Sequence, residues 1–93
     1  MDTEVRNNSE RLRYELVVDG ELVGIADYRA AGDTVVLPHT EIASDRRGQG
    51  LGAVLVRAAL DDIRRTSRTV VPTCWYVAEF IDDHPEYRDL VAV

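Results

Sequence analysis

No lysine occurs among the 93 residues, and all eleven basic side chains are arginine. A P-loop, which needs Gly-x-x-x-x-Gly-Lys-Ser/Thr, is therefore excluded. Cysteine is nearly absent too. The single Cys74 cannot form an internal disulfide, which fits a reducing compartment, so a cytoplasmic location is expected. Two histidines and one cysteine do not stand at ligand spacing, and no metal site is expected. No apolar run approaches the ~20 residues of a membrane helix. Met1 to Arg13 is polar and has no apolar core of the kind a secretory leader carries, so neither a membrane nor export is expected. Positive charge is in short supply, with 11 basic residues against 17 acidic ones and a net charge of −6. General nucleic-acid binding neutralises phosphates with basic side chains, so it is not expected here. An acidic body draws cationic substrates such as amines, although acidity also serves plain solubility.

What is present is enough for one domain. A chain of this length buries roughly 60–65% of its unfolded surface, which makes one modest core. The distinctive stretch is Ser44-Asp45-Arg46-Arg47-Gly48-Gln49-Gly50-Leu51-Gly52. Before it, Val35 to Ile42 reads as a strand. After it, Leu51, Val54, Leu55, Ala58, Ala59 and Ile63 fall at helical spacing. A strand-to-helix junction aims unpaired N–H groups at one spot, and the helix dipole favours negative charge there. Glycine lets a ligand approach the backbone closely, and arginine adds permanent charge with a forked donor. The natural guest is a phosphate or pyrophosphate. The order Gly48-x-Gly50-x-Gly52 does not match the Gly-x-Gly-x-x-Gly dinucleotide fingerprint. A glycine-rich turn without a ligand is the plain alternative.

In chain order, residues 1–10 show no apolar period and are expected to be a flexible terminus. The domain is expected over 11–93. Arg11 to Val18 alternates as a half-buried strand, and Asp19-Gly20 predicts a type I′ hairpin. A strand follows from about Glu21 to Arg29, with Gly24 marking a bulge or a close packing contact. Thr34 to Ile42 is the next strand. Pro38 cannot donate a ladder hydrogen bond, so pairing breaks there and backbone groups are left for another partner. A helix is predicted from Gly50 to Thr66, with Arg57–Asp61 and Asp61–Arg65 pairs on its outer face. A short strand, Arg68 to Val71, should run parallel to the one before the helix through a right-handed crossover. Cys74 to Asp82 reads as a second helix with Thr73 as N-cap, with Trp75, Ala78 and Ile81 on one face and Val77, Phe80 and Ile81 near it. His84 to Tyr87 reads as a turn, and Tyr87 to Val91 as a last helical turn.

Three side chains could carry chemistry. Cys74 opens the second helix, and the positive end of a helix favours the thiolate, the form that attacks a thioester. The alternative is a small buried hydrophobe, as most free cysteines are. His39 and Glu41 share one face of their strand, with Thr40 and Ile42 on the other. If Ile42 is in the core, His39 and Glu41 face a cleft or solvent. Either could take the proton of an attacking amine, or both could be ordinary exposed residues.

The run Arg47-Gly48-Gln49-Gly50-Leu51-Gly52 resembles the Arg/Gln-x-x-Gly-x-Gly/Ala signature of the GNAT acetyltransferase superfamily. His39-Thr40-Glu41-Ile42, Val71-Pro72-Thr73-Cys74-x-Tyr76-Val77 and His84-Pro85-Glu86-Tyr87 resemble a small single-domain branch of it, over roughly residues 11 to 91. The resemblance implies an α/β (α+β) minimal GNAT-like fold: a mixed, twisted sheet of about four strands with two main helices. It implies acetyl-coenzyme A as cosubstrate and an amine acceptor, on a small molecule, a protein lysine or an N-terminus. Ile42 would give backbone contacts to the pantetheine arm. Arg47, Gly48, Gln49, Gly50, Leu51, Gly52 and Ala53 would wrap the pyrophosphate. Cys74 would lie near the acetyl group. The chain departs from a full domain of this superfamily in having no helices between its first strands and no further C-terminal strands. Those parts normally build the acceptor pocket. Two other readings are a non-catalytic coenzyme A or acyl-coenzyme A binding module and a protein-interaction module.

Overall fold

A computed structural model describes residues 1–92, so Val93, the last residue of the expected domain, lies outside the described residues. Five strands form one sheet in the order β1 (Thr3–Asn8), β2 (Arg13–Val18), β3 (Glu21–Ala31), β4 (Thr34–Ile42), β5 (Thr69–Val71). The first four pair antiparallel, and β5 runs parallel to β4. Helix α1 (Leu51–Arg65) makes the crossover from β4 to β5, and α2 (Trp75–Asp83) follows. Two short 3₁₀ turns, Ser44–Arg46 and Pro85–Leu90, complete the elements.

The mixed sheet with two main helices is as expected, but it has five strands rather than about four. The added strand corrects the expectation of a flexible terminus over residues 1–10. Thr3–Asn8 pairs along its whole length with β2, from Thr3 opposite Val18 to Asn8 opposite Arg13. The strand carries one apolar residue, Val5, so hydrophobic alternation could not reveal it. It is held by polar contacts instead. Asn7 Oδ1 accepts the Tyr28 hydroxyl at 2.6 Å, and the main-chain N–H of Asp2 donates to Asp19 at 2.9 Å. On the opposite parity, Arg6 and Asn8 donate to Glu15 at 3.2 and 3.1 Å.

One face of the sheet packs on the helices. Leu16, Val18, Leu37 and Val70 from the strands meet Leu55, Leu60 and Ile63 of α1 there, all essentially inaccessible to solvent. Burying each such side chain contributes about 1.5–3 kcal/mol. Val77, Phe80 and Ile81 of α2 close the end of this core. Among the described residues no helix covers the other face, and the molecule is only 19 Å across its thinnest dimension. It carries Arg6, Arg13, Glu15, Ile25, Asp27, His39 and Glu41. Glu15 is 4% exposed yet shielded by neighbouring side chains alone. Its partner Arg13, with Asn8 and Arg6, holds its carboxyl below the usual glutamate range against the opposing effect of burial.

Several local expectations hold and several are revised. Asp19 and Gly20 both have positive φ (49° and 85°), as a type I′ hairpin needs. Gly24 meets both of its expected roles. Register slips beside it, between Leu16 and Val17, and a Cβ there would lie 2.6 Å from Ile42 Cδ1. The expected Arg57–Asp61–Arg65 ladder does not form. Arg65 pairs with Asp62 at 2.7 Å, while Asp61 accepts the Tyr87 hydroxyl at 2.6 Å and Arg57 reaches Glu86 at 3.6 Å. The C-terminal turn thus docks on α1 and takes those side chains from the helix surface. The N-cap of α2 is Cys74 rather than Thr73, and no side chain caps it. Of the residues grouped on and near one face of α2, Val77, Phe80 and Ile81 are buried, while Trp75 is 74% exposed.

Candidate functional site

The glycine stretch does what its composition dictates. After the 3₁₀ turn, Gly48 and Gly50 take φ of 83° and 75°, where a side chain would strain the backbone. Gly50 caps α1 in the left-handed conformation, and the first turn of α1 carries no acidic residue. Its first N–H groups therefore meet no competing carboxylate from their own turn.

Facing this helix start is a gap in the sheet. Among the described residues β5 pairs with β4 over Thr34–Val36 alone, and on its other side Val70 bridges to Val91. Pairing of β4 with β3 is irregular opposite Tyr28, between Asp27 and Arg29, next to Pro38. The chain after β5 touches β4 once more, where the Cys74 N–H donates to the Leu37 carbonyl at 3.0 Å. It then leaves as α2. Beyond Leu37, β4 has no strand on that side among the described residues. The result is an open cleft of about 750 Å³ between the β4 edge, the glycine loop and the start of α2. Its walls come from Pro38–Ile42, from Arg46–Gly48 and Gly50–Gly52, and from Thr73–Tyr76.

The structure brings most of the sequence-predicted residues together here. His39, Glu41, Ile42, Arg47, Gly48, Gly50, Leu51, Gly52 and Cys74 all line the cleft. Two do not: Gln49 is exposed and outside the cleft lining, and Ala53 lines a smaller neighbouring hollow of about 360 Å³. The arginines are partly engaged. Arg46 is ion-paired with Glu21 at 2.8 Å, and Arg47 Nε donates to the Ile42 carbonyl at 3.2 Å. Arg47 thereby ties the loop to β4, and its exposed guanidinium still borders the cleft.

The expected parity of β4 holds. Thr40 stands opposite the buried Ala26, and Ile42 packs against the core. His39 and Glu41 stand opposite Asp27 and Ile25 on the bare face. His39 Nε2 and Glu41 Oε1 are 4.0 Å apart, and both side chains are more than half exposed. Cys74 lies on the core side, 9% exposed, with its thiol 3.8 Å from the Thr40 hydroxyl. The thiol and the two candidate bases therefore approach the free edge of β4 from opposite faces of the sheet.

Six wall residues were not singled out as site residues from the sequence: Pro38, Thr40, Arg46, Thr73, Trp75 and Tyr76. Trp75 and Tyr76 meet edge to face, with centroids 5.8 Å apart. A parity argument applied to Thr40 could have found it, since Ile42 and Thr40 share a face. Nothing in the local sequence turns Trp75 toward solvent.

Residues 13–90 match a family model described as GCN5-related N-acetyl-transferase. The chain is 36% identical to Protein NATD1 of Bos taurus over 59 residues, which is 62% of this chain and 52% of that protein. It is 27% identical to Protein NATD1 of Danio rerio over 92 residues, covering 94% of this chain and 83% of that one. The bovine match, like several others, spans about half the length of the relative. Two solved structures share the fold. A GCN5-like putative N-acetyltransferase from Staphylococcus aureus superposes with a TM-score of 0.73 at 16% identity, over 96% of this chain and 87% of its own. The ribosomal-protein-S18-alanine N-acetyltransferase of Escherichia coli gives 0.63 at 24% identity, over 71% of this chain and 44% of its own. At those identities the structural likeness speaks for the fold alone. The family match covers most of the chain, and it agrees with a strand-to-helix glycine loop set against a split sheet. The chain belongs to the GCN5-related N-acetyltransferase family.

Proposed function

We propose that this protein transfers an acetyl group from acetyl-coenzyme A to an amine, with the cosubstrate seated in the cleft between β4, the glycine loop and α2. One observation carries the reading: a free strand edge faces an acid-free helix start across a cleft of about 750 Å³. An extended amide-containing arm suits a free strand edge, and a diphosphate suits unpaired N–H groups at a helix start. Ile42 and its neighbours on β4 would hold the pantetheine arm. Arg47, Gly48, Gly50, Leu51 and Gly52 would hold the diphosphate, with Gln49 and Ala53 marginal because neither lines the cleft.

The chemistry requires that an amine attack the acetyl carbonyl, that the carbon–sulfur bond break and that the amine lose a proton. The opposed faces of β4 favour direct transfer. The acceptor would approach from the bare sheet face, where Glu41 takes the proton and His39 stands beside it. Cys74, nearly buried on the other face, then shapes the acetyl end of the cleft and carries no acetyl group itself. A second reading, a non-catalytic coenzyme A binding module, draws on the same bare face, since among the described residues no element closes over His39 and Glu41 to hold an acceptor.

Acetyl transfer to a panel of amines and lysine peptides separates the two. The proposal predicts turnover that falls 10²–10⁴-fold in Glu41→Gln, the usual worth of a general base. It also predicts turnover in Cys74→Ala and no acetylated protein by mass after incubation with acetyl-coenzyme A alone. Coenzyme A binding with no transfer to any amine would favour the binding module.

A further inference from the structure

The third glycine of the loop has a different role from the first two. Gly52 is helical, the second residue of α1, and needs no positive φ. A Cβ on it would lie 2.6 Å from Tyr76 Oη and 2.9 Å from Cζ. Carbon does not approach a ring that closely, so position 52 is bare because the Tyr76 phenol occupies the space. This places the Tyr76 hydroxyl directly against the start of α1.

That hydroxyl is uncommitted. The chain has four tyrosines. Tyr14 donates to Asp62 at 2.8 Å, Tyr28 to Asn7 at 2.6 Å and Tyr87 to Asp61 at 2.6 Å. Among the described residues, Tyr76 alone of the four has no hydrogen-bond partner for its hydroxyl. It is not sealed in the core either, since among the described residues no buried side-chain oxygen or nitrogen lacks a partner. Tyr76 borders both the main cleft and the hollow beyond it. An accessible phenolic O–H thus converges with the first unpaired N–H groups of α1 on one spot. Both are donors, and Asp61 and Asp62, the carboxylates that engage two of the other tyrosines, lie three turns further along the helix.

We propose that Tyr76 is a phosphate-binding residue, donating its hydroxyl to a diphosphate oxygen of coenzyme A at the start of α1, and that Gly52 lacks a side chain in order to seat it. The inference rests on the reading of the cleft as the coenzyme A site. Tyr76→Phe keeps the ring and removes only the donor. A hydrogen bond to a charged group of this kind corresponds to about a tenfold change in affinity. Calorimetric titration with coenzyme A is expected to show that loss. The ³¹P resonances of the two diphosphate phosphorus atoms of the bound molecule are expected to move, while its 3′-phosphate resonance stays. Gly52→Ala, which drives the phenol from its seat, is expected to weaken binding at least as much. Adding Tyr76→Phe to Gly52→Ala should then cost little more.

An affinity within twofold of the parent for Tyr76→Phe, or unmoved diphosphate resonances, overturns the assignment while leaving the cleft reading intact. Folded parent protein that binds no coenzyme A removes both.

Discussion

Glu15 shows how a charged side chain can sit on an uncovered sheet face and still be nearly inaccessible. Arg13, Arg6 and Asn8 wrap it, and their hydrogen bonds depress its pKa. A depressed folded-state value contributes stability above the unfolded-state value of 4.5, and that stability is lost as pH falls through the lower, folded value. The parent should therefore lose urea resistance on acidification below pH 4.5. Glu15→Gln, which lacks this component, should be less stable at neutral pH, and its deficit should narrow toward acid. Parallel urea midpoints across that range measure it. Gly24 makes the complementary point about space. A methyl group there meets Ile42 Cδ1 at 2.6 Å and the Glu41 carbonyl at 3.3 Å. Gly24→Ala is expected to cost about 1–3 kcal/mol, the usual range for overpacking. It should also disturb coenzyme A binding, because the side chain it displaces borders the cleft. Chemical denaturation and a coenzyme A titration on the same variant check both.

The elements that build the cleft were legible because each breaks a local rule. Pro38 interrupts a strand, and three glycines stand where a helix should begin, so the free edge and the helix start could be read from residue types alone. The polar contacts between elements could not. Asp61 and Arg57 sit at i,i+4 spacing, but the terminal 3₁₀ turn offers them better geometry. Burial and the nearby Asp61 carboxylate raise the pKa of Tyr87, and Arg57 approaches both its hydroxyl and its ring. Arg64 pairs with Asp89 at 2.9 Å and donates to the Glu86 carbonyl at 2.7 Å. These contacts join residues more than twenty positions apart, beyond the reach of any periodicity argument. Tyr87→Phe should cost about 1 kcal/mol, because it strands the Asp61 carboxylate without its donor. A thermal melt should show the loss with no change in coenzyme A affinity, since the turn lies away from the cleft.

For the molecule as a whole, one sheet face is packed and the other is bare, and β1 is the edge strand that completes it. The parity of β4 set Thr40 and Ile42 apart from His39 and Glu41, and that reading holds. β1 escaped it because an edge strand with one apolar residue is stabilised by neighbours rather than by its own pattern. Deleting residues 1–10 would expose the paired edge of β2 and remove Arg6 and Asn8 from Glu15 and Asn7 from Tyr28. Such a truncation should melt at lower temperature and self-associate in size-exclusion chromatography, as unpaired edges do. Under the proposed function the cleft seats the cosubstrate, and the acceptor is left to the bare face and its His39–Glu41 pair.

The most direct test of the central claim is a two-dimensional amide NMR titration of the intact chain with coenzyme A. The account predicts that the amides of Gly48 to Ala53 and of Thr40 to Ile42 shift together and saturate, while those of Glu4 to Asn8 stay in place. Loop amides that remain unmoved at saturating coenzyme A, or a response confined to other parts of the molecule, would contradict it.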